Sequence, residues 1–419
     1  MHICLVIKIC QIVSTFGKTF GMIRNKSKYN SVKDTILSDR NSGFKNTAYA
    51  VAELIDNSIQ SALRIEQKNF EVTLIVVEEK QIVGNRNYNR ISEIHVFDQA
   101  EGMNEEVLGE ALSKGKSKNK NDKGFGRMGR YGFGLYMSSI SQCRKTEIHS
   151  WQKNNILKSW LDIDEITESE EEIEYVPVEK LDKFPKEIRD LLPKKISENG
   201  TIVSWKNLDF TKWKTADGLF NNVEDEIGRM YRYFINDGSV KIKFQYYRKT
   251  GGNYQLIDEQ VVRPNDPLYQ MTNTTCPAPW HNKPGFAEAE SDKVIVNLPS
   301  GKKGEITLKF GIAKEEFRGT EEAGGAKPHG KHALKNNGVS FLRSGRELEL
   351  NKSWNNPSES RWRWVNAEIH FEGSEDMDNF LKVPTNKQGA DNLYFRDIKR
   401  KCDEKNLNEA KYMAHLNDT

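Results

Sequence analysis

Apolar residues recur with a helical period just after Asn46. Within TAYAVAELIDNSIQSAL they stand three or four positions apart, at Ala48, Val51, Ala52, Ile55, Ile59 and Ala62. This spacing predicts an amphipathic helix that Asn46 or Thr47 caps. The opposite face of the helix carries four polar side chains at i, i+3, i+4 and i+7, namely Glu53, Asp56, Asn57 and Gln60.

Strand patterns follow the helix. VTLIVVEE and ISEIHVFD are rich in β-branched residues and flank turn-forming residues at 84–89, so they predict a hairpin whose second strand ends at Asp98. Residues 131–141 predict a helix flanked by glycines, and residues 217–235 predict another. From about residue 238 strand patterns dominate, including KVIVNLP, EITLKFGIA and GVSFLRSGRELEL. The chain as a whole therefore predicts an α+β fold with two domains.

A glycine- and lysine-rich segment separates the hairpin from the 131–141 helix. Between residues 114 and 130 it carries seven basic residues and one acid. This composition predicts a mobile, positively charged loop. By contrast, residues 162–174 hold eight acids and no base, and we interpret them as a solvated connection or edge.

Composition limits the class of protein. The 419 residues suggest two or three domains, and a net charge of +3 lacks the basic excess that would by itself announce a nucleic-acid binder. No apolar run reaches the roughly 18 residues of a membrane span. Five scattered cysteines without a C-x-x-C pair indicate reduced thiols and a cytoplasmic protein. The apolar residues 1–13 leave three interpretations open: a signal peptide, a buried strand, or translation from a start upstream of Met22.

The order of four motifs is more specific than any one of them. Glu53-x-x-Asp56-Asn57 on a helix precedes a strand ending in Asp98 and Gly102, then a glycine run, then Gly200-Thr201 on a later strand. In this order the chain resembles the GHKL ATPases, the superfamily of gyrase B, the ninety-kilodalton heat-shock chaperones, MutL and the sensor histidine kinases. The resemblance covers about residues 22–205. It implies an N-terminal Bergerat-type α/β sandwich, a mixed sheet with helices on one face.

The resemblance also implies a role for each motif. Glu53 would be the base that activates water for attack on the γ-phosphate, and Asn57 would bind Mg²⁺. Asp98 would accept a hydrogen bond from the adenine amine, and Thr201 would support Asp98 and the base. The remaining expected nucleotide-binding residues lie in the glycine-rich segments, at Gly102, Met103, Gly126, Gly129, Gly132 and Gly134. Residues 103–130 would form the lid.

Two positions depart from the family pattern. The first glycine of Asp-x-Gly-x-Gly is Ala100 here, which affects how closely the backbone approaches adenine. Gln60 stands where related helices often carry an acid.

The second domain narrows the resemblance. LKVPTNKQGADNLYF places Lys387 in a polar turn, as in the transducer domains of MutL, type II topoisomerases and the MORC ATPases, where a lysine reaches the γ-phosphate. The GVSFLRSGREL segment also resembles the MORC and bacterial MORC-like group. The expected organisation is an extension at 1–22, the ATP-binding domain at 23–215, a connecting helix at 216–237, the transducer-like domain at 238–392 and a charged helix at 393–419.

The function implied is an ATP-operated switch that binds Mg²⁺ with ATP, hydrolyses ATP slowly and dimerises on ATP binding. Three outputs stay open: a MORC- or MutL-like clamp on DNA, for example in bacterial defence; a chaperone-like remodeller of protein clients; and an interaction module whose hydrolysis is incidental. A histidine kinase is disfavoured, because about 50 residues before Glu53 are too few for a phosphoacceptor hairpin.

Overall fold

The structure is a computed structural model that describes residues 32–41, 43–115, 132–169, 176–288, 290–319, 324–352 and 360–384. These residues form two mixed β-sheets with packed helices, so the expected α+β class is confirmed. Most of the basic loop, with Gly126 and Gly129, lies outside the described residues, as do Lys387 and the expected C-terminal helix. Among the described residues, no helix is long and apolar enough to cross a membrane.

The first part of the chain supplies four helices and a long hairpin. Its elements are α1 (Val32–Arg40), α2 (Thr47–Arg64), β1 (Phe70–Val83), β2 (Arg86–Asp98), α3 (Glu105–Ala111) and α4 (Gly134–Ile140). Asn46 caps α2 as expected, because its Oδ1 accepts the backbone N–H of Ala48 at 2.9 Å. The hairpin turns within two residues, at Gly84 (φ 62°) and the residue after it, so its strands are longer than predicted.

The middle of the chain adds six strands and four helices. They are β3 (Cys143–Gln152), β4 (Asn155–Asp162), α5 (Ile163–Glu168), β5 (Val178–Leu181), α6 (Lys186–Arg189), β6 (Asn199–Leu208), α7 (Ala216–Met230), α8 (Arg232–Asn236), β7 (Val240–Thr250) and β8 (Asn253–Val261). The predicted single helix at 217–235 is divided at Tyr231, whose backbone is not helical. The acidic stretch begins as α5, which Asp162 caps.

The larger sheet has eight strands in the order β5-β4-β3-β6-β2-β1-β7-β8. Its pairs are antiparallel except for β1 with β7, which are parallel. One face packs against α2, α4 and α7 through a continuous apolar core that includes Ile55, Val96 and Ile227. The opposite face is covered in part by α6 and the residues after it, where Ile188 and Leu191 contact Trp151. The mixed sheet agrees with the expected fold, but the resemblance implies helices on one face only, whereas the short helix α6 covers part of the other face.

The smaller sheet has five strands in the order β12-β11-β13-β10-β9. Its elements are β9 (Glu290–Asn297), β10 (Lys303–Ile312), α9 (Glu315–Arg318), α10 (Pro328–Lys335), β11 (Val339–Arg343), β12 (Arg346–Asn351), β13 (Val365–Phe371) and α11 (Glu375–Phe380). A separate apolar core, with Val294, Leu308 and Ile369, lies against this sheet. Each of the two sheets thus packs on an apolar core of its own.

The boundary between the sheets differs from the predicted domain boundary. Strands β7 and β8, expected to open the second domain at residue 238, extend the first sheet because β7 pairs with β1 from Phe70↔Val240 to Glu79↔Lys249. The second sheet begins only at Glu290. A local strand pattern does not state which sheet a strand joins, because partner choice is a long-range contact.

Buried ion pairs join the second sheet to α7 and α8. Glu347 on β12 accepts from Arg229 Nε at 2.6 Å and from Arg232 Nη1 at 2.8 Å, while Arg232 Nη2 lies 2.7 Å from Glu368 Oε1 on β13. The Arg232, Glu347 and Glu368 side chains are all fully buried. Burial alone would raise the pKa of Glu347, but the charges of Arg229 and Arg232 outweigh it and lower that pKa.

Arg232→Met should lower the free energy of unfolding by about 3–5 kcal/mol, because it removes the guanidinium that two buried carboxylates share. Urea unfolding followed by circular dichroism measures the change. Lys293→Met is the matched control, since the Lys293 and Glu305 side chains are 66% and 50% exposed, and an exposed pair contributes less than about 1 kcal/mol. Equal destabilisation of the two variants would contradict the structural role of the buried pairs.

Candidate functional site

The polar face of α2 is buried rather than solvated. Glu53, Asp56 and Gln60 expose 2%, 0% and 1% of their surface, and Asn57 alone of the four is partly exposed. Long helices in soluble proteins normally turn such a stripe to water. Here the stripe faces other elements of the protein, so each buried polar group needs a partner.

Asp56 is held inside the protein by two side chains from later parts of the chain. The Tyr231 hydroxyl donates to Asp56 Oδ1 at 2.6 Å and is also 2.8 Å from the Ala52 carbonyl oxygen. Arg346 Nε, from β12, lies 3.3 Å from the same Asp56 oxygen. Burial, followed by the negative charge of Asp56, raises the pKa of Tyr231 well above its ordinary value, so the phenol remains a donor.

Glu53 lies against the first residue of α4. A Cβ placed on Gly134 would be 2.3 Å from Glu53 Oε2, so only glycine allows the carboxylate to approach the backbone here. On its other side, Arg346 Nη2 is 4.0 Å from Glu53 Oε1. Glu53 thus lies between the end of the glycine run and a cation from the second sheet.

Asp98 is buried at the end of β2 and exposes 6% of its surface. Its carboxylate accepts the Ser58 hydroxyl at 2.7 Å and the Ala100 backbone N–H at 3.0 Å. Burial raises the pKa of Asp98 to about 6, against the lowering effect of the two hydrogen bonds and of Arg64. The pKa of this carboxyl is thus nearer neutrality than the ordinary value of an aspartate.

The segment after Asp98 shows where glycine is required. Ala100, which stands in place of the family glycine, is 2% exposed, and its backbone N–H donates to the Asp98 carboxylate. Gly102 has φ 67°, and a Cβ on it would be 2.3 Å from the Trp151 carbonyl oxygen, so no other residue fits. The Met103 N–H donates to the Ser150 hydroxyl at 2.8 Å. These contacts hold the chain against β3 as it leaves the strand.

Thr201 has a different partner from the one expected. It pairs with Asp98 across β2 and β6, yet its Oγ1 lies 2.9 Å from the Ser150 hydroxyl on β3. Asp98 accepts instead from the Ser58 hydroxyl and the Ala100 N–H, one on each carboxylate oxygen. In this structure Thr201 supports Ser150, which holds Met103.

The structure brings four of the predicted residues together at α2 and the strand end beside it. Glu53 and Asn57 lie on the helix, Asp98 reaches the helix through Ser58, and Gly134 touches Glu53. Gly132 has φ 67°, and its carbonyl oxygen accepts the Gly115 N–H at 3.1 Å, which closes the base of the glycine-rich loop. The remaining predictions, Gly126, Gly129 and Lys387, lie outside the described residues.

Three partners of the site were not predicted from the sequence. Ser58 follows Asn57 directly, and its position between the two faces of α2 is the signal that could have identified it. Tyr231 stands at the break between α7 and α8, where a helical pattern gives no reason to expect a contact with Asp56. Arg346 belongs to the GVSFLRSGREL segment. That segment resembles the MORC group, but the resemblance does not predict a contact between Arg346 and α2.

The donor set fits a cation that arrives with a ligand. Asn57 is partly exposed and its side chain makes no hydrogen bond or ion pair with another described residue, so its side-chain oxygen is available to a hard cation. No group of three or more histidine, cysteine, aspartate or glutamate side chains that could hold a metal ion occurs among the described residues. A magnesium ion at Asn57 would therefore take most of its ligands from a triphosphate and water.

Comparison with known proteins gives a family match for the first part of the chain. Residues 45–197 match the family described as Histidine kinase-, DNA gyrase B-, and HSP90-like ATPase, which identifies them as a GHKL-type ATPase domain. The B-subunit of the DNA gyrase from Myxococcus xanthus is a similar solved structure, with 10% identity, a TM-score of 0.42, and coverage of 88% of this chain and 93% of that chain. No curated protein matches the chain.

Ser58→Ala should raise the pKa of Asp98 above about 6, because the Ser58 donor favours the ionised carboxylate. Carbon-13 NMR titration of the Asp98 carboxyl measures the shift. Since the folded pKa already lies above its ordinary value, the stability that Asp98 contributes is present at low pH and is lost as the pH rises through about 6.

Ser61→Ala is the control for that titration, because the Ser61 hydroxyl, on the same helix, accepts the Glu101 N–H at 3.2 Å and does not touch Asp98. An unchanged Asp98 titration in Ser58→Ala would remove Ser58 from the carboxylate's environment.

Proposed function

We propose that this protein is a Mg²⁺-dependent ATPase that works as a nucleotide-driven conformational and dimerisation switch. The observation that carries the proposal is the placement of two buried carboxylates at one helix: Glu53 lies on α2, and Asp98 accepts the hydroxyl of Ser58 from α2, next to the partly exposed Asn57. The first lies against the glycine run and the second at a strand end. The two carboxylates have different surroundings, which suits them to different tasks.

Asp98 suits recognition of adenine. Its oxygens are fixed by Ser58 and Ala100, and a carboxylate can accept a further hydrogen bond on its remaining lone pairs. The exocyclic amine of adenine is a donor, whereas guanine presents an acceptor at the equivalent position. The site therefore favours ATP over GTP.

Glu53 suits the role of general base. A base must be held rigidly beside the reacting groups and must be able to accept a proton from water. Glu53 is buried on a helix, at van der Waals distance from the Gly134 backbone where the glycine-rich loop ends. Mg²⁺, when bound through Asn57 and the triphosphate, would neutralise charge on the phosphates.

The second sheet suits the role of a transducer. It is attached to α7 and α8 by buried ion pairs, and the chain leads from it toward Lys387, which family resemblance assigns to the γ-phosphate. A cation delivered from a separate part of the chain interacts more strongly with ATP than with ADP, and that difference can drive a conformational change. We propose a MORC- or MutL-like clamp that acts on DNA, because two segments of the second domain resemble those proteins.

Glu53→Gln should leave ATP affinity within about twofold and lower kcat by about a hundredfold or more, because the amide cannot take the proton from water. Isothermal calorimetry and a phosphate-release assay measure the two quantities separately.

Asp98→Asn is the matched contrast, since it should weaken ATP binding by an amount on the order of 1–3 kcal/mol through a misplaced donor. Normal hydrolysis by Glu53→Gln would show that the base is another residue, and unchanged affinity in Asp98→Asn would place adenine elsewhere.

ATP, but not ADP, should convert the wild-type protein to a dimer that retains double-stranded DNA, and Lys387→Ala should lose both responses while binding ADP normally. Size-exclusion chromatography with light scattering and filter binding at several salt concentrations measure them. An ATP-dependent dimer that ignores DNA would favour a remodeller of protein clients. A Lys387→Ala protein that still dimerises would show that the phosphate is sensed by another group.

A further inference from the structure

Arg346 begins β12 in the second sheet, but its side chain lies beside α2 of the ATPase domain. The side chain is 2% exposed. Its Nε is 3.3 Å from Asp56 Oδ1, its Nη2 is 4.0 Å from Glu53 Oε1, and its Nη1 donates to the Glu347 carbonyl oxygen at 3.1 Å. The three guanidinium nitrogens thus face three different oxygens, two of them on the face of α2 that carries the candidate base.

The Arg346 guanidinium supplies a positive charge beside two buried carboxylates. Glu53 and Asp56 are one helical turn apart and both are buried, so each carboxylate has lost its hydration next to a group of like charge. A buried guanidinium beside both groups offsets the two effects and restricts where the carboxylates can point.

The placement of Arg346 depends on the second sheet. The hairpin between β11 and β12 turns at Ser344 (φ 49°) and Gly345 (φ 82°), immediately before Arg346. The next residue, Glu347, is fixed by Arg229 and Arg232 from α7 and α8. The guanidinium can therefore reach α2 only when the sheet is seated on those helices.

We propose that Arg346 is a positioning residue for Glu53, through which the seating of the second sheet controls ATP hydrolysis. The proposal rests on the function proposed above, with Glu53 as the base. Arg346 touches neither Asp98 nor Asn57 among the contacts that the structure gives it. Its effect should accordingly fall on the chemical step and leave nucleotide affinity unchanged.

The test measures ATP affinity and steady-state hydrolysis in the full chain for Arg346→Met and Arg346→Lys. Arg346→Met should lower kcat by about tenfold to a hundredfold, the scale of a misplaced reacting group, and leave the Kd for ATP within about twofold. Arg346→Lys, which restores a charge without the planar fork, should recover part of kcat. This split and partial rescue would not follow from loss of a merely structural ion pair.

Arg343→Met is the matched control. Arg343 ends β11, is 5% exposed on its side chain, and pairs with Asp378 at 2.8 Å within the second part of the chain. Its loss should lower the unfolding temperature and leave kcat within about twofold, at a temperature where both variants are folded.

Three outcomes would overturn the proposal. Arg346→Met could hydrolyse ATP like the wild type, or it could lose no more activity than Arg343→Met. If Arg346→Met does not fold, the third outcome that would overturn the proposal is a kcat for Arg346→Lys equal to that of the wild type. In each case the loss of hydrolysis in Glu53→Gln would show that the proposed function stands. A wild-type protein without ATPase activity would overturn the proposed function and the role of Arg346 together.

Discussion

Burial of negative charge along one face of α2 is the constraint on which the rest of the structure depends. A carboxylate removed from water costs several kcal/mol unless hydrogen bonds or an opposite charge replace its hydration. Asp56 has no exposed surface; it accepts a hydrogen bond from the Tyr231 hydroxyl and forms an ion pair with Arg346. Both partners come from beyond residue 197, where the match to the ATPase family ends. The helix that forms the floor of the candidate site is thus completed by a later part of the chain.

One end of β12 connects three parts of the molecule. Arg346 faces the acids of α2, while the neighbouring Glu347 faces Arg229 and Arg232 and also accepts the Ser340 hydroxyl at 2.8 Å. Separation of the second sheet from the helices would uncover charges on both sides at once. Such an interface favours a few discrete arrangements over gradual displacement, because intermediate positions leave buried charges without partners. This is the behaviour that a nucleotide-driven switch requires.

Local features of the fold and site could be predicted from the sequence because each depends on neighbours in the chain. The Asn46 cap, the extent of α2, the strand end at Asp98 and the glycine at position 102 are of this kind. Period and turn chemistry determine which residues share a face or need a positive φ.

Contacts between distant segments could not be predicted in this way. The period of α2 places Glu53 and Asp56 on one face, but it does not say that Arg346, 290 positions from Asp56, covers that face. The addition of β7 to the first sheet is similar, since its parallel pairing with β1 has no local signal. Thr201 is a smaller example: strand register places it opposite Asp98, yet its hydroxyl lies beside Ser150 on the neighbouring strand β3.

The two carboxylates of the site differ in what holds them, and this difference separates binding from chemistry. Asp98 is fixed by Ser58 and by its own backbone at Ala100, all within the ATPase domain. Glu53, five positions before Ser58 on the same helix, has the second sheet's Arg346 beside it. Movement of the second sheet would therefore change the surroundings of Glu53 while the hydrogen bonds of Asp98 stay intact. Under the roles proposed for these two carboxylates, adenine binding would persist in every position of the second sheet, whereas hydrolysis would require β12 to be seated on α2.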